Sequence, residues 1–194
     1  TLAGDQGWGG WRCQAGMPLK ADIDGKGGLE TVTSCVLARG NTVAGASVPA
    51  GATLRASAGT VYTSGRRGDD RWILRVEDRQ RRLTLFGAAL RGSFYLDGER
   101  RLIRVRGTLV APFTLAPMHY PPSTAVRLRV DALNDKPVQW WFSPGRGAVA
   151  RRDNGDDVAS GQAVEQAGDG AVRQVLSNAQ AGFFHAVPVR VPDA

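Results

Sequence analysis

The sequence lacks the long apolar and helical segments that mark several protein classes. No run approaches the roughly 20 apolar residues that a membrane-spanning helix needs. Stretches of Ala, Leu, Glu and Lys at helical spacing are also missing, whereas 25 Gly and 10 Pro are spread along the 194 residues. The sequence therefore predicts no membrane-spanning segment and few or no helices, in a chain that suits one ordinary domain or two small ones.

Cysteine is scarce, with only Cys13 and Cys35 present. Two cysteines without a neighbouring His cannot supply four zinc ligands, and their spacing is not that of a C-x-x-C motif. We interpret them as a disulfide, with two unpaired, partly buried thiols as the alternative. A disulfide closing this loop would contribute about 3 kcal/mol and would indicate an oxidising compartment.

Histidine is scarce too, and neither copy lies in a catalytic motif. His185 adjoins Phe183 and Phe184 and is interpreted as a strand residue, whereas His119, next to Tyr120 and two prolines, is the better binding candidate. A purely structural role for His119 is the alternative. The chain contains no H-E-x-x-H motif and no nucleophile elbow, so the sequence predicts no catalytic residue and no cofactor.

Two short segments combine carboxylates with glycine in a way that resembles a calcium loop. They are 22–30 and 153–157. Lys26 occupies a position where a calcium loop would have a ligand, and Arg151 and Arg152 precede the second segment. Both segments are interpreted as turns, with a calcium site as the alternative, and no metal ligand is predicted.

Lysine is nearly absent, although the chain carries a formal charge of +7. Lys occurs only at 20, 26 and 136, so that 22 of the 25 basic residues are Arg. Arginine binds carboxylate and phosphate through a planar fork, but a GC-rich genome would also enrich it. The clusters are mixed with acidic residues, which favours a salt-bridged surface and an anionic envelope polymer or acidic protein over DNA; they are Arg66-Arg67, Arg79-Arg81-Arg82, Arg100-Arg101-Arg104-Arg106 and Arg151-Arg152.

Alternation of apolar and polar residues is the clearest pattern that is present. Val126, Leu128 and Val130 point to one side of a strand while Arg127 and Arg129 point to the other. Similar runs recur between turn signals such as Asp24-Gly25 and Asp97-Gly98. The pattern predicts a mainly β protein, an antiparallel sandwich or barrel-like fold.

The chain also shows an internal similarity, which predicts how it is organised. Segment 24–55 resembles 97–127 at an offset of 73 residues at the start and 72 at the end, as a duplicated β unit would. We predict a main β domain over 1–142, a flexible loop region over 143–170, and C-terminal strands over 171–194 that pack on the main domain. Residues 162–166 and 171–177 fit a hairpin, and a short helix over 171–179 is the alternative.

The aromatic run Trp140-Trp141-Phe142 gives the main binding candidate. Adjacent strand residues face opposite sides, so Trp141 should emerge from the face opposite to Trp140 and Phe142. An exposed Trp141 near Arg146 would form a stacking platform, and the alternative is that all three rings are core. The predicted binding residues are Trp141, Trp140, Arg146, His119 and Tyr120.

These patterns favour a non-catalytic module of the bacterial cell envelope, periplasmic or secreted, that binds a protein or an anionic glycan or lipid. The polar start at Thr1 fits a leader removed by processing, and a fragment would look the same. Segment 48–54 resembles a phrase found in β domains of bacterial secretion and conjugation scaffolds, but we assign no family on seven residues. The alternatives are a secreted hydrolase or lyase whose carboxylates converge in a cleft and, third, a nucleic-acid-binding β protein.

Overall fold

The computed structural model describes residues 4–62 and 64–183. These residues form 19 strands and no helix, which confirms the predicted mainly β, sandwich-like class. The strands up to residue 96 are β1 Gln6–Trp8, β2 Trp11–Cys13, β3 Leu19–Ile23, β4 Leu29–Val36, β5 Thr42–Val43, β6 Ala46–Ser47, β7 Thr53–Ala56, β8 Trp72–Val76, β9 Leu83–Leu85 and β10 Ala88–Leu96. The later strands are β11 Leu102–Leu109, β12 Phe113–Leu115, β13 Met118–Tyr120, β14 Ala125–Asp131, β15 Lys136–Ser143, β16 Val149–Arg152, β17 Val158–Ala159, β18 Gln162–Ala167 and β19 Val172–Ser177.

Most of these strands belong to one large antiparallel sheet. Its order is β19-β18-β15-β14-β11-β10-β8-β7-β4-β3, and β9 adds to it by pairing with β10. One face of this sheet is apolar and buried, because alternate residues of each strand point inward. Leu74, Phe94, Val105, Leu128 and Phe142 are among the fully buried residues of this core face.

A second layer covers the core face. It contains the four-stranded sheet β12-β13-β16-β17 and the small β5–β6 hairpin. The Tyr120 ring stacks on Phe142 with centroids 3.9 Å apart, and Phe113 lies 5.7 Å from Trp140. These contacts make the molecule a sandwich whose core lies between the two layers.

The second layer arises from connections that leave the same end of the large sheet. β5 and β6 lie between β4 and β7, β12 and β13 between β11 and β14, and β16 and β17 between β15 and β18. The opposite end has short turns such as residues 97–101, together with the longer 57–71 connection. Because these three connections fold over the core face, they leave the other face of the large sheet largely open.

The two segments whose sequences resemble each other make corresponding hydrogen bonds. Asp24 Oδ1 accepts from the Gly28 N–H at 2.7 Å, and Asp97 Oδ1 accepts from the Arg101 N–H at 2.8 Å. Downstream, the Leu37 N–H donates to the Ala52 carbonyl at 2.8 Å. The N–H of Leu109 donates likewise to the carbonyl of Thr124 at 2.9 Å. Thus the correspondence extends from the turn before the long strand, β4 or β11, to the end of the connection that follows that strand.

A β-bulge accounts for the change of offset from 73 to 72. In the pairing of β3 with β4, Lys20 faces Ser34 and Ala21 faces Val32, so Thr33 is an extra residue. β11 has a bulge where Leu96 faces Leu102, but the pairing above it is continuous. The first segment is therefore one residue longer within the strand itself. That the two segments arose by duplication remains a prediction.

Strands also occur where the sequence predicted a loop region. Residues 143–170 contain β16, β17 and β18, joined by turns, and the flexibility predicted for this region stays a prediction. The C-terminal hairpin has the predicted form, because β18 pairs with β19 from Gln162↔Ser177 onward. The alternative helix over 171–179 is wrong. The part of the predicted C-terminal region beyond Phe183, including His185, lies outside the described residues.

The two cysteines form the predicted disulfide. The Cα atoms of Cys13 and Cys35 are 5.9 Å apart, and both side chains are buried in the core. The bond joins β2 to β4, and Cys13 also pairs with Leu37, the residue after β4. It therefore links the N-terminal hairpin β1–β2 to the large sheet.

Candidate arginine-face binding site

The face of the large sheet opposite to the core carries a dense set of arginines. Strand pairing places Arg106 opposite Arg127 and Arg104 opposite Arg129. The same alternation puts further arginines on this face on β7, β8 and β10. We call this surface the arginine face; its arginines are Arg55, Arg75, Arg91, Arg104, Arg106, Arg127 and Arg129.

Like charges directly opposite each other on paired strands destabilise a sheet. The face relieves this repulsion at Arg104, which forms an ion pair with Asp70 at 3.2 Å. By contrast, Arg106, Arg127 and Arg129 have no carboxylate oxygen within 4 Å in residues 4–62 and 64–183. Three uncompensated cations therefore lie side by side on β11 and β14.

Arg104 is held by a set of contacts from the 57–71 connection. Its Nη1 donates to the Tyr62 hydroxyl at 2.6 Å, and its Nη2 donates to the Thr60 hydroxyl as well as to Asp70. The guanidinium lies 3.9 Å from the centroid of the Tyr95 ring and 5.5 Å from that of Tyr62. Only 13% of the Arg104 side chain is exposed, so this arginine is part of the framework rather than a free ligand.

Asp70 anchors this arrangement from below. The carboxylate is fully buried and accepts hydrogen bonds from the Ser57 hydroxyl at 2.7 Å and the Thr60 N–H at 3.0 Å. Burial alone would raise the pKa of Asp70, but the hydrogen bonds from Ser57 and Thr60 and the Arg104 charge outweigh it and lower the pKa. Asp70 therefore stays ionised and neutralises one arginine of the face.

A different set of contacts holds Arg127 in place next to Arg106. Its guanidinium donates to the backbone carbonyls of Ala181, at 3.0 Å, and Gly182, and lies 4.1 Å from the Phe183 ring. Burial, followed by repulsion from Arg106, lowers the pKa of Arg127. These carbonyl contacts fix the side chain without cancelling its charge.

Trp141 lies beside these cations. It is directly opposite Arg127 on the neighbouring strand and is partly buried, whereas Trp140 is only 1% exposed. Trp141 and Gln139 border an open hollow of about 200 Å³ whose other walls are arginines and the backbone of β11 and β14. A second open hollow of about 590 Å³ lies against the 57–71 connection and shares Arg104 and Arg129 with the first. The two hollows adjoin at Arg104 and Arg129, and we call them together the arginine groove.

The structure separates the five predicted binding residues. Trp141 emerges on the open face, as the alternation of β15 predicted. Trp140 and Tyr120 are buried in the core, and the Tyr120 hydroxyl donates to Gln166 Oε1 at 2.5 Å. Burial also raises the pKa of Tyr120. Neither buried ring is available to a ligand, so their prediction as contact residues is corrected.

The two other predicted residues are exposed but lie outside the groove. Arg146 belongs to the turn between β15 and β16 and lines neither hollow, so Trp141 is paired instead with Arg127. His119 Nε2 donates to Asp153 Oδ1 at 2.7 Å, and His119 Nδ1 shares a hydrogen bond with the Thr114 hydroxyl at 3.0 Å. Both side chains of the His119–Asp153 pair are at least half exposed. The fold therefore places neither Arg146 nor His119 in the candidate site.

The Thr114–His119–Asp153 chain contains the residue types of a hydrolytic triad, but its surroundings do not suit one. Nucleophilic hydrolysis needs oriented donors for an oxyanion in a site that excludes water. Here the ring and the carboxylate face solvent on the rim of the second layer. The arrangement is that of a surface hydrogen-bond network that joins β12, β13 and the turn after β16.

The two segments that resemble calcium loops form turns stabilised by their own side chains. Asp24 Oδ1 accepts from the N–H groups of Lys26 and Gly28, and Asn154 Oδ1 accepts from the N–H of Asp156. Over the described part of the chain, no group of three or more His, Cys, Asp or Glu could hold a metal ion. The turn interpretation of both segments fits these bonds.

The groove contains residues that the sequence analysis did not select. Arg106, Arg127 and Arg129 stood out only as members of clusters or of an alternating strand, and Tyr62 was not considered. Counting arginines at alternate positions of successive predicted strands would have shown that they share one face. The order of the strands, which decides which arginines adjoin, cannot be read from that count.

Comparisons of the chain with protein-family models, with curated proteins and with solved structures found no match. The site's geometry is therefore the basis for the functional argument.

Proposed function

We propose that the chain is a non-catalytic binding module of the bacterial cell envelope and that it binds an anionic envelope polymer through the arginine groove. The observation that carries the proposal is the set of three uncompensated arginines, Arg106, Arg127 and Arg129, beside the partly exposed ring of Trp141. Maintaining like charges in direct opposition costs stability. An anionic ligand would relieve that repulsion and gain charge-assisted hydrogen bonds.

The disulfide supports the assignment to the envelope. Both cysteines are buried and bonded to each other, and stable structural disulfides are typical of oxidising compartments such as the periplasm and the cell exterior. Within the described ranges, no helix is long and apolar enough to cross a membrane.

The arrangement of the unpaired arginines supports a local site. Arg81 pairs with Asp78 at 3.4 Å, and Arg101 pairs with Asp97 at 2.8 Å and with Glu99 at 2.9 Å, whereas other exposed arginines, such as Arg79 and Arg82, have no carboxylate oxygen within 4 Å in the described residues. Arg106, Arg127 and Arg129 differ from these because strand pairing holds them next to one another and beside Trp141. Such a cluster creates a local field that attracts anions.

Removing two groove arginines tests the proposal against a matched loss of charge elsewhere. The variant Arg106→Gln with Arg129→Gln should lose affinity for dextran sulfate by about tenfold or more, because two charge-assisted contacts disappear. The control, Arg79→Gln with Arg82→Gln, removes the same charge from exposed positions outside the groove and should change the affinity by less than about twofold. Affinities are measured by isothermal calorimetry at two salt concentrations, with uncharged dextran as the neutral probe.

An equal loss of affinity in both variants would show that dextran sulfate responds to net charge alone, and the groove would not be the site. Binding of uncharged dextran as tight as that of dextran sulfate would also contradict the proposal. Because all four replaced side chains are exposed, both variants should fold normally. Circular dichroism checks that their strand content is unchanged.

A further inference from the structure

We propose that the ligand of the arginine groove is an acidic polysaccharide chain that spans the groove, with one sugar ring on Trp141 and carboxylates at both ends. This inference rests on the proposed function and narrows it to one class of polymer. It follows from the length of the groove, from the distribution of its charges and from the number of aromatic rings that are free to stack.

The groove is too long for a single anionic group. Strands in a sheet lie about 4.8 Å apart, so β11, β14 and β15 alone extend over about 10 Å. Beyond β11 the second hollow continues along the 57–71 connection, where Arg66 and Arg67 form its far wall. A ligand that touches both Trp141 and Arg66 must therefore be a chain.

Cations without a carboxylate partner within 4 Å in the described residues lie at both ends of the groove, and in its middle Arg129 lies opposite the paired Arg104. Arg106 and Arg127 are at the Trp141 end, and Arg66 and Arg67 are exposed at the other. Arg104, in the middle, is already paired with Asp70. This spacing suits a polymer with repeated anionic groups better than a compact polyanion. Asp69 is the exposed carboxylate in the wall of the second hollow, and two arginines outnumber it.

The aromatic rings favour a sugar chain over a single-stranded nucleic acid. Nucleic-acid grooves of this kind stack successive bases on successive aromatic rings. In this groove Arg104 covers the Tyr95 ring, and the partly exposed rings among the described groove residues are Trp141 in the first hollow and Tyr62 in the second, so they do not follow one another as successive platforms. The Trp141 indole can stack on one sugar ring, and the guanidinium groups around it can bind several carboxylates. An acidic sugar chain has both of these groups.

The distribution of apolar residues argues against a lipid surface as the ligand. Insertion into a membrane needs exposed apolar side chains next to the basic ones. Two of the large exposed hydrophobic residues in the described ranges lie at one end of the groove: Val61 pairs with Arg67, and Tyr62 borders the second hollow. The hollow beside Trp141 has no such residue in its lining, so the groove as a whole lacks the continuous apolar edge that insertion into a membrane requires.

A length series of galacturonate oligomers tests the inference. The monomer, the trimer and the hexamer carry one carboxylate per sugar, and the fully methyl-esterified hexamer has the same length without charge. We expect the hexamer to bind at least about tenfold more tightly than the monomer, because contacts at the second end add to those at the first. The esterified hexamer should bind no more tightly than the monomer.

Variants at the far end show whether the gain with length comes from the groove. Arg66→Gln with Arg67→Gln should remove most of the difference between hexamer and monomer while changing monomer affinity by less than about twofold. Trp141→Ala should weaken the monomer and the hexamer alike. Arg79→Gln with Arg82→Gln is again the matched control for charge and should preserve the length dependence.

Three results would overturn the inference. They are equal affinity for monomer and hexamer, an unchanged length dependence in the Arg66/Arg67 variant, and tighter binding of a single-stranded oligonucleotide of the same charge. If dextran sulfate still distinguishes the Arg106/Arg129 variant from its control, these results leave the proposed function intact. If that distinction is also lost, the proposed function fails as well.

Discussion

The two faces of the large sheet are built from the same strands, but one is apolar and buried whereas the other is positively charged and largely open. On the core face, Leu74, Phe94 and Phe142 are fully buried and pack against a second layer. On the arginine face, positively charged side chains face each other across neighbouring strands without a covering layer over most of their extent. The first face gains stability from burial, whereas the second gives up stability by opposing like charges.

This contrast supports the proposal that the arginine face binds an anion. A chain selected only for stability would not keep Arg106 opposite Arg127 and Arg104 opposite Arg129, since mixed signs at those positions would stabilise the sheet. The structure instead neutralises one arginine from below, through Asp70, and fixes another through backbone carbonyls. The remaining positive charge is held in place but not cancelled, as a preformed site for an anion requires.

The neighbouring residues Trp140 and Trp141 give the sharpest test of the contrast, with the largest expected effect. Trp140→Ala leaves a cavity between the two layers and should lower the free energy of unfolding by about 3 to 5 kcal/mol. Trp141→Ala, on the open face, should lower it by no more than about 1 kcal/mol. Urea denaturation followed by circular dichroism measures both values.

The binding assay should show the reverse order. Trp141→Ala should weaken binding of the galacturonate hexamer, whereas Trp140→Ala, at a temperature where it stays folded, should preserve it. Similar losses of stability in the two variants would mean that Trp141 is a core residue, and the separation of the two faces would be wrong.

The disulfide provides a second way to perturb the core face alone. Removing it by Cys13→Ala with Cys35→Ala should lower the free energy of unfolding by about 3 kcal/mol, because the bond restricts a 22-residue separation in the unfolded chain. Affinity for the galacturonate hexamer should stay within about twofold, since neither cysteine borders the arginine groove. Urea denaturation and calorimetry measure the two quantities.

Reduction of the unmodified protein is the complementary control. Native folded protein should yield no free thiol before reduction and two after unfolding in reductant, as measured by mass after alkylation. Recovery of two free thiols from unreduced protein would contradict the bond and remove the support that it gives to an oxidising compartment.

The alternation of apolar and polar residues was sufficient to predict the strand-rich fold. In β14, Val126 and Leu128 are buried while Arg129 is exposed, as their spacing indicated. Burial on one face imposes that pattern on the sequence, so the pattern reports it directly. The second layer could not be predicted, because short strands such as β12 and β13 carry too few residues to show a period.

The candidate site was predicted only in part, for a reason of topology. Trp141 was identified from its position between two core residues, which is local information. Arg129 and Tyr62 reach the same groove from β14 and from a distant connection, and no local pattern links them. Arg146, close to Trp141 in sequence, lies in a turn instead, because the chain leaves the sheet after Ser143. Proximity in sequence was therefore a poor guide to proximity in the site.

Asp70 is the exception on the arginine face, since it is a fully buried charge, and it gives the smallest of the three expected effects on stability. Asp70→Asn keeps the size of the side chain but removes the charge that pairs with Arg104, so it should lower the free energy of unfolding by about 2 kcal/mol at pH 7.

The lowered pKa of Asp70 means that the unfolded chain takes up the proton more readily than the folded one. The carboxylate's contribution is therefore complete above the ordinary aspartate pKa of 3.8 and declines as the pH falls below it. Urea denaturation of both proteins between about pH 2.5 and pH 7, a range that includes the onset of that loss, should show a constant difference above about pH 5 that shrinks towards pH 2.5. A difference that instead grew on acidification would mean that the folded state holds the proton, and Asp70 would not be the counter-ion that fixes Arg104 in the groove.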